Sequence, residues 1–127
     1  MNRFFTLFLP CFLILSSFVI STSIDEVVIA MKTGNASQLS RFFDNSVEVS
    51  MPDKSNSYSK SQAEMVLKDF FSNNNVKGFD IIHKGENAGS QYCIGTLQTN
   101  NGAYRTTIFM KEKSGAQVLQ ELRFENR

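Results

Sequence analysis

The chain has 127 residues, two cysteines, no tryptophan and a formal charge of +1. That length holds one domain of ordinary size and excludes a multidomain enzyme. The near-zero charge excludes the basic footprint of a nucleic-acid binder, and 42% hydrophobic with 20% charged residues is the composition of a globular chain.

Residues 1–23 read as a secretory signal. Arg3 supplies the short positive start, Phe4 to Ile20 is dominated by Phe, Leu, Ile and Val, and Ser21 and Ser23 stand at −3 and −1 of a cleavage site before Ile24. The rival is an uncleaved anchor, but Pro10 and two serines interrupt an apolar run that is short for a membrane span. Cys11 lies in the middle of the apolar core, which does not suit lipidation. The expectation is a single domain over residues 24–127, exported to the periplasm or beyond, with no membrane span once the signal is removed. Cleavage takes away Arg3 and no acid, so 12 basic and 12 acidic residues remain. Cys93 is then alone and cannot form an internal disulfide, so the core must hold the domain together.

Three helices come first. Ile24, Val27, Val28 and Met31 follow the i, i+3, i+4, i+7 rule, Asp25 and Glu26 sit at the positive end of the helix dipole, and Gly34 stops the helix. A short second helix after Asn35 is expected to bury Leu39, Phe42 and Phe43. Val47, Val49 and Met51 then alternate with Glu48 and Ser50, as in a strand with one buried face. Pro52 to Ser57 reads as a polar loop, with Tyr58 in the approach to the third helix. Ser59 and Gln62 make a capping box for that helix. Ala63, Val66, Leu67 and Phe70 form its apolar face, and Asn73-Asn74-Asn75 ends it.

Beyond Gly78 the period becomes two. Phe79 to Lys84, Gln91 to Thr99, Ala103 to Lys113 and Gln117 to Glu125 read as four strands. The turns between them are Gly85 to Gly89, Asn100-Asn101-Gly102 and Ser114-Gly115. An antiparallel sheet curled around its helices satisfies this order best, giving an α+β domain.

Several runs carry a resemblance. Phe42-Phe43-Asp44-Asn45-Ser46-Val47-Glu48-Val49, after a helix and the Gly34-Asn35-Ala36 turn, looks like the opening of nuclear-transport-factor-2-like cone domains. Lys32-Thr33-Gly34-Asn35-Ala36, Tyr58-Ser59-Lys60-Ser61-Gln62-Ala63-Glu64, Leu67-Lys68-Asp69-Phe70-Phe71, Gln91-Tyr92-Cys93-Ile94-Gly95-Thr96-Leu97 and Gln120-Glu121-Leu122-Arg123 resemble a secreted bacterial family catalogued as domain of unknown function 4783. The resemblance implies a cone-shaped domain in which N-terminal helices pack in a curved, mainly antiparallel sheet. It brings no activity.

The chemistry available is sparse. One histidine and one cysteine in residues 24–127 argue against a zinc site, and no cofactor is implied. A Ser-His-Asp or Cys-His arrangement would have only His83 as its base, and no nucleophile signature accompanies it. Isomerases of the resembled fold use a carboxylate near the end of the first strand. Here that place falls at Val49 or Ser50, which cannot take a proton from carbon, and Glu48 alternates to the opposite face. Gln91-Tyr92-Cys93-Ile94-Gly95 is one residue from the Gln-x-Val-x-Gly loop of cystatins, but within a predicted strand.

What remains is a modest pocket. Val118, Gln120, Leu122 and Phe124 share a face by alternation, and Val47, Val49, Leu122 and Phe124 are expected to line the cavity. Tyr58, His83, Tyr92, Tyr104 and Gln120 are the candidate ligand-orienting groups, with His83 on the face of Phe79 and Ile81. The expectation is a non-catalytic exported domain binding a small apolar ligand or an envelope protein. The alternatives are an enzyme working through His83 and a tyrosine, or a structural interaction module. Apolar residues on both faces of the middle strands, with helices enough for one face only, predict a homodimer.

Overall fold

The computed structural model describes residues 22–127, so the signal and its cleavage site up to Ser21 lie outside the described residues. The chain runs through α1 (Ser23–Thr33), α2 (Ala36–Ser40), β1 (Phe43–Ser50), β2 (Ser55–Ser59), α3 (Lys60–Asn74), β3 (Val76–Asn87), β4 (Ser90–Thr99), β5 (Gly102–Lys113) and β6 (Ala116–Asn126). The six strands form one sheet in the order β2-β1-β6-β5-β4-β3. Every neighbouring pair is antiparallel except β1 with β6, which are parallel. Among the described residues no helix is long and apolar enough to cross a membrane.

Local chemistry explains the helices. Gly34 takes φ 62°, a left-handed cap that a β-carbon disfavours, and its N–H closes on the Met31 carbonyl. Asn35 caps α2 by accepting from the Gln38 N–H at 3.0 Å. Ser59 Oγ accepts from the Gln62 N–H and Gln62 Oε1 accepts from the Ser59 N–H, both at 3.3 Å, completing the expected capping box. Asn74 ends α3, and Asn75 leaves it at φ 50°. The hairpin turns at Ala88-Gly89 and Ser114-Gly115 have positive φ at both central positions, which matches the right-handed twist of the flanking strands.

The helices cover one face of the sheet. Val27, Met31, Leu39 and Leu67 meet Val47, Val49, Leu97, Ile108, Met110, Leu119, Leu122 and Phe124, and each of these is at most 1% exposed. On the other face Tyr92, Ile94, Phe109 and Val118 are half-buried although no described element covers them. They shelter one another across β4, β5 and β6, where Tyr92 pairs with Phe109 and Lys111 with Val118.

Four expectations need correcting. The second helix ends at Ser40, and Phe43 opens β1 because its chain already runs beside Leu119 of β6. Ser55 to Ser59 is a strand, not loop: it pairs with β1 from Ser46 to Ser50, and hydrogen bonding outweighs its poor strand composition. The Gly85 to Gly89 turn is tighter than expected, because β3 continues to Asn87. The assumed alternation along β3 and β6 is broken by bulges. Ile82 is the extra residue between Ile81–Gly95 and His83–Ile94, and Gln120 is extra between Met110–Leu119 and Phe109–Glu121. Each inserted residue reverses the faces of everything beyond it.

Candidate functional site

The space between α3 and the sheet is closed by aromatic rings. Phe70 lies 4.8 Å from Phe124 between ring centroids and meets Tyr104 edge-on at 5.3 Å. Phe71 meets Phe124 edge-on from the other side at 6.4 Å. Rings at these spacings and tilts favour their quadrupoles as well as burying area. The expected pocket wall of Val47, Val49, Leu122 and Phe124 is therefore solid core. Outside the plug lies an open groove of about 510 Å³ walled by Met51, Pro52, Val66, Phe70, Tyr104 and Asn126.

Asn74 anchors this end. Its Nδ2 donates to the Phe70 carbonyl at 2.8 Å, and its Oδ1 accepts from Asn101 Nδ2 at 3.1 Å and Tyr104 Oη at 3.2 Å. One buried amide thus ties the last turn of α3 to the β4–β5 hairpin. The sequence offers Asn73-Asn74-Asn75 only as a helix stop, and nothing in three identical residues marks the middle one as buried.

The five candidate residues do not converge. Tyr58 stands on β2, where its hydroxyl accepts from Asn56 Nδ2 at 3.3 Å. His83 is exposed on the outer face, because the Ile82 bulge turns it away from Phe79. Its Nε2 and the Tyr92 hydroxyl share a hydrogen bond of 2.7 Å, so Tyr92 also faces outward, not into a pocket. Tyr104 shares the inner face with Ile108 and Met110 and sits at the mouth. Gln120, the bulge residue of β6, leaves the face of Leu122 and Phe124 and donates to Asp44 Oδ2 at 3.2 Å.

Asp44 collects several polar contacts. Lys113 Nζ reaches its Oδ1 at 3.0 Å, and the Asn45 N–H and Gln120 add hydrogen bonds. The Lys113 ammonium first, then these donors, hold its carboxyl below the usual carboxylate range. Lys84 Nζ pairs with Asp25 Oδ1 at 2.7 Å, joining β3 to the first turn of α1, with the Asp25 pKa lowered chiefly by that contact. Burial pushes the Cys93 thiol up to about 11. Gln91, Cys93 and Gly95 are all buried within β4, so the cystatin-like run is not an exposed inhibitory loop. Among the described residues no three His, Cys, Asp or Glu side chains converge as metal ligands would.

A curved sheet wrapped over N-terminal helices is the architecture of NTF2-like domains. An NTF2-like protein of unknown function from Cytophaga hutchinsonii aligns with a TM-score of 0.59 at 11% identity, covering 80% of this chain and 83% of that one. The chain belongs to the family described as "Domain of unknown function (DUF4783)", which matches residues 24–125. It is similar to a DUF4783 family protein from Bacteroides uniformis, with TM-score 0.81, 29% identity, and coverage of 84% of this chain and 98% of that one. A DUF4783 family protein from Bacteroides fragilis is 33% identical at TM-score 0.76, covering 80% of this chain and 96% of that one. No curated protein matches the chain.

Proposed function

We propose that this is an exported, non-catalytic domain that acts by binding a protein in the cell envelope, and not by enclosing a small ligand. The observation that supports it is the plug of Phe70, Phe71, Tyr104 and Phe124, which occupies the volume an internal ligand would need. A ligand site needs a concavity with a few convergent polar groups. Here Tyr58, His83, Tyr92, Tyr104 and Gln120 are dispersed over four places. His83, the base required by the enzyme alternative, bonds a tyrosine on the open face and, among the described residues, forms no ion pair with a carboxylate. The partners include a second copy of the chain, as the two-sided apolar strands lead one to expect.

The test is a screen of apolar small molecules by thermal shift, with products followed by mass spectrometry. The expected result is no stabilising ligand and no product, alongside covalent capture of a protein partner in cross-linked envelope fractions. A stabilising ligand seated in the groove of Met51, Val66, Phe70 and Tyr104 would favour the small-ligand reading instead. Turnover abolished by His83→Ala would overturn the proposal in favour of an enzyme.

A further inference from the structure

The two edges of the sheet are unlike. β2 is five residues long and serine-rich, a short polar edge that offers little to another strand. β3 is twelve residues long, and its edge carries Ile81 at 45% and Ile82 at 58% exposure, two of only four large apolar side chains exposed among the described residues. An unpaired edge of that length and character is a template for strand addition.

The sequence along that edge is complementary to itself. Turned antiparallel about the point between Ile81 and Ile82, Ile81 meets Ile82, Asp80 meets His83 and Gly78 meets Gly85. His83 Nε2 is engaged by Tyr92, while Nδ1 makes no hydrogen bond among the described residues and is free to meet a carboxylate.

In a regular strand this register cannot form. Antiparallel partners must point their backbone groups and side chains the same way, and residues an odd number of places apart do not. The bulge at Ile82 removes the obstacle by shifting the phase by one residue. The β4 partners show this directly: Asp80 and His83 pair with Thr96 and Ile94, Gly78 and Gly85 with Gln98 and Tyr92. These partners lie symmetrically about Gly95, so both members of each pair share one face and one hydrogen-bonding direction.

We infer that β3 pairs antiparallel with β3 of a second copy, about a two-fold axis at the Ile81–Ile82 bulge, to make one continuous twelve-stranded sheet. The occupant is a second copy and not an arbitrary peptide. A strand without a bulge, in phase with residues 83–87, is out of phase with residues 78–81, whereas the same chain carries the extra residue at the same level. This deepens the expectation of a homodimer and moves it from the outer face, where Tyr92, Ile94 and Phe109 shelter one another, to the edge.

The test uses the full chain with Cys11→Ser, purified in whatever processed form the cell leaves, in two further variants, Asp80→Cys and His83→Cys. Residues directly opposite have Cα atoms about 4.5–5.5 Å apart, within disulfide range. A residue and its own copy stand two rungs apart, roughly 8 Å, beyond that range. Mild oxidation of an equal mixture is expected to give a covalent dimer containing one chain of each kind, and each variant alone to stay single. Independently, Asp80→Lys should weaken the dimer about tenfold by sedimentation, there being two such pairs per dimer, and Asp80→Lys with His83→Glu should restore it. A strict monomer at high micromolar concentration overturns the inference and leaves the protein-binding role of the domain standing. A covalent dimer formed by Phe109→Cys alone, with none from the mixture, also overturns it and returns the interface to the outer face.

Discussion

The ring of Phe79 lies across the bare Cα of Gly95, opposite the β3 bulge. A β-carbon at position 95 would strike that ring and would stand 2.7 Å from the Asp80 carbonyl oxygen. The ring is 3% exposed and the carbonyl is backbone, so neither can yield cheaply. Gly95→Ala is therefore expected to cost roughly 1–3 kcal/mol, as overpacking does. Gly78→Ala is the control on the same strand pair: nothing lies within 4 Å of its added carbon, and its effect should stay within about 0.5 kcal/mol. Urea unfolding of the two variants separates these outcomes.

Asn74 makes three side-chain hydrogen bonds while only 9% exposed. Asn74→Ala strands the Tyr104 hydroxyl, while Asn101 keeps its bond to the Asn73 carbonyl at 3.0 Å, and should cost about 1–3 kcal/mol. Tyr104→Phe keeps the ring against Phe70 and removes one bond, so about 0.5–1.5 kcal/mol is expected. If both variants unfold like the parent chain, the amide is not the tie between α3 and the β4–β5 hairpin.

Cys93 is 0% exposed, and its thiol holds its proton up to about 11, chiefly because burial disfavours the thiolate. In the chain with Cys11→Ser, thiol reagents at pH 8 should leave Cys93 of the folded protein unmodified and label it only on unfolding. The sign of the linkage follows. The folded pKa is raised from 9.0 to about 11, so the stabilisation is fully present below pH 9 and is lost as pH rises towards 11. The loss from this group is on the order of 2–3 kcal/mol, and Cys93→Ala should remove that part of the alkaline slope.

Phe124 is fully buried at the centre of the aromatic plug. Phe124→Ala should cost about 3–5 kcal/mol and leave an apolar void. Such voids stay dry and accept small aromatic molecules. Benzene is expected to raise the melting temperature of the variant and not that of the parent. An equal rise in both would mean that the interior already holds space for a ligand.

How much of this was legible in the sequence depends on the kind of signal. Ser59 with Gln62, and Gly34 after the periodic run Ile24 to Met31, name their own structures because caps act through adjacent residues. The hairpin order of β3 to β6 follows from alternation and turn residues. The candidate site was not legible, since placing His83, Tyr92 and Gln120 required knowing the face of each strand, and one inserted residue inverts it. Nothing in the composition of Ile81-Ile82-His83 or Leu119-Gln120-Glu121 announces a bulge; it is fixed by the partner strand. The strand Ser55 to Ser59 is hidden for a related reason. Its residues have little preference for extended structure, and β1 supplies the pairing.

The parallel pairing of β1 with β6 bears on the order of events during synthesis. β6, made after the other five strands, lies between the β2–β1 hairpin and the β5-β4-β3 meander and pairs with both. Phe43 waits for Leu119, and Val49 for Leu122, across some seventy intervening residues. A nascent chain that has emerged only to Ser114 can form hairpins but cannot close its core. The core of the domain thus stays open until β6 has been made and has paired with both neighbours.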